Sequence, residues 1–485
     1  MTGVRFKLTE KGKRGKMNMS GGLAALDNFF NTCTGFLFGP VMLVVFFGTG
    51  ILMTVVTRGV QFRKFGTAVR EIFSNLRHIG TEGDGQLKPF QALATALSSC
   101  VGNGNVVGVS AALVSGGPGA IFWMWIAAVT GMATKYAEIL LAMHFREKDE
   151  NGVWRGGVMY ILTRGMKENW KWLAKILGAV FAVCCVLVSF VSCNAVQSSS
   201  MSSVLGSTIP FIPAWVWGLL AAVLSGICIV GGIRKIGHVC SFLTPIMAVI
   251  YIFFGIIILV LNIGEIPGAL ALIVKSAFSS QAAWGGVTGI TIRTAISKGV
   301  TRGIFSNEAG VGGAPLVHVT SDIEVPARQS LYGIIEVFFD TIIICTFTAL
   351  VILVSGVGDI VAGGGIPVTE TAAISNTAWS MSLGAVGDVV VTISLVLFCF
   401  STIIGWCTYG ETSWEYLFGS KSLIVFRIMH VTMTFLGFVI SAQVLWDAAD
   451  FCNGVMCIPN LFSLIIFWKI IAGDTKKYID PVYSK

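Results

Sequence analysis

Two stretches of this chain put polar side chains and glycine into sequence that is otherwise apolar enough to enter a membrane. Residues 91–119 read QALATALSSCVGNGNVVGVSAALVSGGPG, with Ser98-Ser99-Cys100-Val101-Gly102-Asn103-Gly104-Asn105 at mid-segment. Residues 299–315 read GVTRGIFSNEAGVGGAP, with Ser306-Asn307-Glu308-Ala309-Gly310 in the corresponding place. Glycine and asparagine are poor helix formers, so both runs predict an interrupted helix. Non-helical backbone at membrane depth has no lipid partner and must be buried or line a wet cavity. Interruptions at matching places in two halves point to a mid-membrane binding site. Glycines that only let helices pack closely would not come twice in corresponding positions with polar side chains.

The chemistry follows from the broken ends. A half-helix N-terminus presents free N–H groups and partial positive charge, which suits a carboxylate; the backbone around Gly102–Asn105 is the candidate. The opposite half-helix end exposes carbonyls, which suit Na⁺ or an ammonium group. Hydroxyls of Ser98, Ser401 and Thr402 complete a set of hard oxygen ligands for sodium, by analogy with other hard cations.

Ionisable residues inside apolar sequence are functional candidates, although structural pairing is common. Glu308, beside Asn307 in the second interruption, is expected either to take part in coupling, by tuning cation binding or carrying a proton, or to bond freed backbone N–H groups. Lys298 and Arg302 share a helix face at i, i+4, as do Glu336 and Asp340. These two faces are expected to pair between helices or to gate the cytoplasmic path. Lys135 and Glu138, at i, i+3, are expected to pair locally. His144, His238 and His318 fall near cytoplasmic span ends, where solvated or interfacial positions are expected, and Trp123 and Trp125 suit packing or an interfacial belt.

The elements that must carry these groups are membrane helices. Of the 485 residues 54% are hydrophobic and 12% charged, too little charge to cover a soluble domain of this length. Apolar runs near the ~20 residues that cross a bilayer recur about eleven times. They fall at 37–57, 88–113, 119–143, 173–203, 213–232 and 240–263, then at 288–320, 329–355, 384–413, 422–443 and 447–472. With the first set aside, two sets of five remain, each opening on an interrupted helix, and an odd number per set inverts the second relative to the first. The expected organisation is an N-terminal tail, extra helix and basic connector (1–87), a first repeat (88–263), an extracellular connector (264–287), a second repeat (288–472) and a cytoplasmic tail (473–485).

Basic connectors orient the spans. Arg58, Arg63, Lys64, Arg70 and Arg77 follow span 1, Arg146, Lys148, Arg155, Arg164, Lys167 and Lys171 follow span 3, and Arg234 and Lys235 follow span 5. Lys476, Lys477 and Lys485 lie in the C-terminal tail, whereas 204–212 is uncharged and Asp359, Glu370, Asp447 and Asp450 sit on the other side. This predicts a multi-pass protein of the plasma (inner) membrane with the C-terminus cytoplasmic and the N-terminus outside; the basic N-terminal tail is the one dissenting segment. The net charge of +8 needs no nucleic acid to explain it, and no obligate protein partner is evident. The twelve cysteines include no CxxC pair and no His/Cys cluster with metal spacing. No HExxH or GxSxG arrangement points to an enzyme. An ion channel would need a continuous polar pore, whereas the polar residues concentrate at two breaks.

The run GGPGAIFWMWIAAVTGMATKYAEILLAMHFRE (116–147), with GGVMYIL (156–162), TRGIFSNEAGVGGAP (301–315) and STIIGWCTYGE (401–411), resembles the alanine or glycine:cation symporter family, and the likeness spans nearly the whole chain. The resemblance implies an all-α integral membrane protein of LeuT-like fold, a five-plus-five inverted repeat preceded by one additional N-terminal transmembrane helix. It implies import of a small neutral amino acid, alanine or glycine, driven by Na⁺ or sometimes H⁺, with no cofactor beyond the coupling ion. Carried over by motif, the carboxylate meets the backbone of Asn103, Gly104 and Asn105, while Thr402, Gly405 and Trp406 line the pocket. Sodium takes carbonyls of Ser98, Val101 and Phe398 with the hydroxyls of Ser401 and Thr402.

Two departures bear on the substrate. Where the family usually has VGTGN or VGSGN, this chain has an amide at Asn103. The glutamine that often stands two residues before the span-4 asparagine is replaced by Ser192 before Asn194, with Gln197 a turn further on. A smaller Ser192 leaves room for a larger side chain such as that of glutamine.

Overall fold

The computed structural model describes residues 39–77, 85–150, 152–279, 291–362, 371–440 and 443–479, together with residues 32, 35 and 37. The basic N-terminal tail, Glu370, Lys485, the side chain of Asp447, the last third of the expected extracellular connector (280–287) and the first residues of span 7 lie outside the described residues.

The helices used below are α1 (Pro40–Val56), α2 (Phe65–Arg77), α3 (Pro89–Cys100), α4 (Val109–Gly116), α5 (Gly119–His144), α6 (Val158–Gly165), α7 (Lys171–Phe190), α8 (Val196–Thr208), α9 (Ala214–Val230), α10 (Gly232–Leu261), α11 (Ile266–Ala277) and α12 (Ile292–Asn307). They continue as α13 (Pro315–His318), α14 (Pro326–Val337), α15 (Thr346–Val354), α16 (Val357–Ala362), α17 (Thr371–Leu383), α18 (Ala385–Phe418), α19 (Leu423–Val439), α20 (Gln443–Ile466) and α21 (Trp468–Asp474). A two-stranded hairpin, β1 (Glu147–Lys148) against β2 (Trp154–Arg155), caps one end of the bundle.

Sequence explains most of the boundaries. Proline, which needs no N–H partner in the first turn, opens α1, α3, α13 and α14. At α3 the Gln91 side chain reaches back to the Lys88 N–H at 3.0 Å. Three π-helical turns, Gly104–Gly108, Val191–Ala195 and Phe338–Cys345, interrupt otherwise regular helix, and such turns concentrate at functional sites. All three carry residues of the region described next.

Among the described residues, six helical stretches are long and apolar enough to cross a bilayer, or eight if each of two bent pairs counts as one span. One bent pair is the first expected interruption: Pro89–Cys100 and Gly104–Gly116 meet at 51°. The expected connector between the repeats is not plain loop, since α11 lies within it. Its Ala277 carbonyl accepts from the Trp123 indole at 3.2 Å, and Trp125 donates to Thr346 at 2.8 Å, so both tryptophans are packed against neighbouring helices.

Candidate functional site

α3 stops where its backbone loses the helical ladder. Val101 is extended, with φ −76° and ψ 97°. The Gly102 N–H donates to the Asn105 side-chain oxygen at 2.9 Å, not to the Ser98 carbonyl it would meet in a continued helix. The released Ser98 carbonyl accepts from the hydroxyls of Thr402 at 3.1 Å and Ser401 at 3.3 Å. The Val101 carbonyl accepts from Thr402 at 3.3 Å. The Phe398 carbonyl accepts from Ser401 at 2.9 Å and Thr402 at 3.0 Å. Oxygens of Ser98, Val101, Phe398, Ser401 and Thr402 thus meet at one buried point between α3 and α18. This neutral, all-oxygen donor set fits a hard monovalent cation. One residue-level expectation is corrected: the Ser98 hydroxyl is turned to the Thr95 carbonyl at 2.9 Å and the Cys240 sulfur at 3.1 Å, so Ser98 offers its carbonyl alone.

Two glycines make this approach possible. A Cβ on Gly102 would lie 2.6 Å from the Thr402 hydroxyl, and one on Gly405 would run into the Ser99 hydroxyl. Gly405 therefore lets α18 close on α3 and does not itself line the cavity beside it.

That cavity has a volume of about 670 Å³ and starts at the break. Asn103, Gly104, Ser192, Thr402 and Trp406 line it, as do Glu308, Lys298 and Arg302. It continues past Ser115 at the end of α4 and Thr371 at the start of α17. At the opposite end of the bundle, hydrogen bonds tie the described segments together. There the N–H groups of Gln86 and Leu87 donate to the Thr320 carbonyl at 2.8 and 3.1 Å. Arg146 donates to the carbonyls of Val319, Ser321 and Ile323 at 2.9, 2.9 and 3.1 Å.

At the break, the N–H groups from Gly102 to Asn105 differ in their engagement. That of Asn103 donates to Gln197 Oε1 at 3.2 Å, and that of Asn105 to the Gly102 carbonyl at 3.3 Å. The Gly104 N–H meets no acceptor among the described residues. Gln197 also donates to the Asn103 side chain at 3.1 Å, and Asn103 donates on to Ser200 at 2.9 Å. Gln197 thus reaches the break from one turn past Asn194, while Asn194 points away and donates to the His430 carbonyl at 2.8 Å.

Asn105 turns its side chain away from the cavity, to the Asp340 carboxylate at 2.7 Å and the Ser306 hydroxyl at 3.0 Å. Asp340 accepts in addition from Ser306 at 2.6 Å and Thr341 at 2.9 Å, and Asn307 donates to Thr341 at 3.0 Å. Asp340 therefore ties the first break to the second. Its i, i+4 spacing from Glu336 gave no sign of this role.

At the second break α12 ends on Asn307, and Glu308 takes a left-handed backbone, φ 56°, which is uncommon for a residue with a Cβ. Its carboxylate accepts from the Trp406 indole at 2.7 Å. Bonding of the freed backbone falls to Glu138 instead, which accepts from the Gly310 N–H and from Asn460, both at 2.6 Å. The expected Lys135–Glu138 pair is therefore not formed. Lys135 reaches Glu336 on α14 at 3.0 Å, with both side chains fully buried.

The Glu336 carboxylate also meets His318 at 3.2 Å, and Gln329 donates to the far ring nitrogen of His318 at 2.7 Å. His318 is thus buried, not interfacial, whereas His144 is partly exposed beside Asp474 at 2.7 Å and His238 is exposed. Nor do Lys298 and Arg302 face Glu336 and Asp340. Asp340 and Thr341 meet the last turn of α12, so Lys298, nine residues earlier, stands about 13 Å up the helix at 1.5 Å per residue. Glu336 lies a turn beyond on the other side, and the two cations line the cavity wall instead.

The sequence pattern of the sodium:alanine symporter family matches residues 23–484. The sodium/alanine symporter AgcS of Methanococcus maripaludis is 41% identical over 449 residues, covering 92% of this chain and 96% of that one. The probable sodium/glutamine symporter GlnT of Bacillus subtilis is 34% identical over 468 residues, covering 95% and 94%. Among solved structures, that of MhsT in complex with L-phenylalanine aligns with a TM-score of 0.59 at 14% identity, over 82% of this chain and 98% of that one, a LeuT-like likeness of fold. On the motifs, the two breaks and the match along almost its whole length, the chain belongs to the sodium:alanine symporter family.

Proposed function

We propose that this protein is a Na⁺-coupled symporter that imports a small neutral amino acid, alanine or glycine in the first reading, by alternating access across eleven spans. The observation that carries it is the pairing, at one break, of an unengaged Gly104 N–H facing a cavity with five oxygens gathered between α3 and α18. The substrate carboxylate sits at the half-helix N-terminus on Gly104, within reach of Asn103, and Trp406 walls the cavity from α18. Ser98, Val101, Phe398, Ser401 and Thr402 hold the cation, which when bound supplies the gradient's driving force and a positive charge between two spans. The residues' own part is positional. Thr402 touches three of the carbonyls and also lines the cavity, so cation and substrate share one side chain. The basic connectors at the end opposite the cavity support a cytoplasmic position for that end, and with it a cavity that opens to the outside, an external N-terminus and an internal C-terminus.

A second reading, a larger neutral amino acid such as glutamine, is favoured by the small Ser192 in the cavity wall. Uptake into proteoliposomes tests both. Concentrative, saturable accumulation of alanine or glutamine that needs an imposed Na⁺ gradient is expected; the same assay with a proton gradient alone identifies the coupling ion. Flux with no concentrative coupling would make the protein a channel and end the proposal.

Thr402→Val keeps the shape of the side chain and removes the hydroxyl shared by three carbonyls. A hydrogen-bonding contribution to a charged partner of about 1.5–3 kcal/mol translates into a Na⁺ half-saturation constant raised by roughly 10- to 100-fold. An unchanged Na⁺ dependence of uptake would remove this cluster from the ion site.

A further inference from the structure

One wall of the cavity contains a polar side chain that neither the fold nor the proposed ion and carboxylate sites use. Asn453, on α20, lines the cavity and is 8% exposed. Its backbone carbonyl accepts from the Cys457 thiol at 3.1 Å, but its side-chain amide makes no hydrogen bond to the protein among the described residues. Its amide faces the cavity, and a ligand that displaced the water there without replacing its hydrogen bonds would leave a buried amide unpaired at a cost in free energy. Its surroundings define which ligand. α20 packs on the π-helical turn Val191–Ala195, which brings Ser192 and Cys193 into the same wall, with Cys457 one turn from Asn453.

Of the charged groups in the cavity wall, Asp450, three residues before Asn453, interacts electrostatically with Lys298, and Glu308 keeps one oxygen without a hydrogen bond among the described residues. Gln197 is held by Asn103 through both its oxygen and its nitrogen, and one oxygen of Glu308 by Trp406. What remains on this wall is one amide edge, with a donor and an acceptor side by side, one hydroxyl and small sulfur-bearing side chains. Asn453, Ser192, Cys193 and Cys457 offer a charged substrate side chain no counter-charge of their own; the charged groups of the cavity are Asp450, Lys298, Arg302 and Glu308. An aliphatic one would leave the Asn453 amide unpaired on losing its water. The small neutral group that matches an amide edge with both a donor and an acceptor is a primary carboxamide.

We infer that Asn453, assisted by Ser192, forms a subsite for a side-chain carboxamide, making a neutral amino acid of the glutamine or asparagine type the favoured substrate. This rests on the amino-acid symport proposed above and chooses between its two substrate readings. Asn453 acts here as a specificity residue on the substrate's side chain, separate from the Gly104 carboxylate position.

The test is Na⁺-gradient-driven uptake into proteoliposomes of labelled glutamine, asparagine, alanine and norleucine, the last matching glutamine in length without its amide. The wild type is expected to prefer glutamine or asparagine over norleucine by about tenfold or more in kcat/KM, the worth of a paired buried amide. Whichever of the two carboxamides leads identifies the reach of the subsite. Asn453→Leu is expected to lower the carboxamide-to-alanine ratio of kcat/KM by about tenfold, mainly through KM. Asn453→Gln, which keeps the amide, is expected to restore part of that ratio. Equal treatment of glutamine and norleucine by the wild type would overturn the inference, as would an Asn453→Leu variant whose ratio does not move. Should Asn453→Leu fail to purify as a monodisperse protein, the glutamine-to-norleucine ratio of the wild type decides alone. Absence of Na⁺-driven uptake of any amino acid by the wild type would sink the symport reading itself, a different failure from loss of the preference.

Discussion

Lys135→Met is expected to destabilise the protein by about 3–5 kcal/mol, the usual cost of breaking a buried ion pair by removing one partner. Lys135 and Glu336 are both fully buried and lie 3.0 Å apart. Without the ammonium, the Glu336 carboxylate keeps, among the described residues, His318 and the Cys100 thiol, the latter at 3.2 Å. Glu138, Glu308 and Asp340 are further acidic side chains buried in the same region. The measurement is the thermal unfolding midpoint of detergent-solubilised protein, read with the monodisperse fraction on size exclusion. Lys135→Met with Glu336→Met is expected to recover most of the loss, because two apolar groups of similar volume replace a desolvated pair. A double variant no more stable than the single one would show that Lys135 serves the fold through some other contact. Lys135 on α5, and not Lys298 on α12, is thus the cation that partners Glu336 on α14.

Gly104→Val is expected to leave the fold intact and to remove substrate binding. A Cβ at Gly104 would have Ser306 Cα, 4.0 Å away, as its nearest neighbour, so the first added carbon meets ordinary contact. The branched methyls then occupy the cavity in front of the one unengaged N–H of the break. Loss of a hydrogen bond to a carboxylate accounts for about 1.5–3 kcal/mol, or roughly a 10- to 100-fold weaker Kd, with steric exclusion added. Equilibrium binding of labelled substrate in detergent, with the unfolding midpoint as the control for folding, makes the check. Normal affinity in this variant would take the segment out of the site. The same change at Gly102, where a Cβ would lie 2.6 Å from the Thr402 hydroxyl, tests something else: it would push α18 off α3.

How much of this was legible beforehand differs from residue to residue. The break at Gly102–Asn105 was readable because low helix propensity concentrates there, and the observed chain departs from the helix at Val101. The five oxygens could be named from the motifs of a known family, whereas the break alone offered unnamed carbonyls with three hydroxyls, that of Ser98 being the wrong atom. Glu308 was placed correctly at the second break, yet its partner, Trp406, lies 98 residues away. Gln197 was visible as a displaced glutamine; that it holds Asn103 twice was not. Asn453 had a signal, an amide inside an apolar run, and it was passed over because nothing local distinguishes an asparagine that faces a cavity from one that faces a neighbouring helix.

By itself the sequence determined that the chain is built from apolar helices, that two of them break at mid-length, and to which family it belongs. These properties depend on composition, propensity and spacing along the chain, which act locally. Tertiary structure alone decided which buried charge meets which. Lys135 had an acidic neighbour within one turn, Glu138, and the fold gave it to Glu336, 201 positions on, while Glu138 went to the freed Gly310 N–H. In a low-dielectric interior each buried charge and each loose backbone N–H must find a partner. Which partner comes within 3 Å is set by how the helices cross.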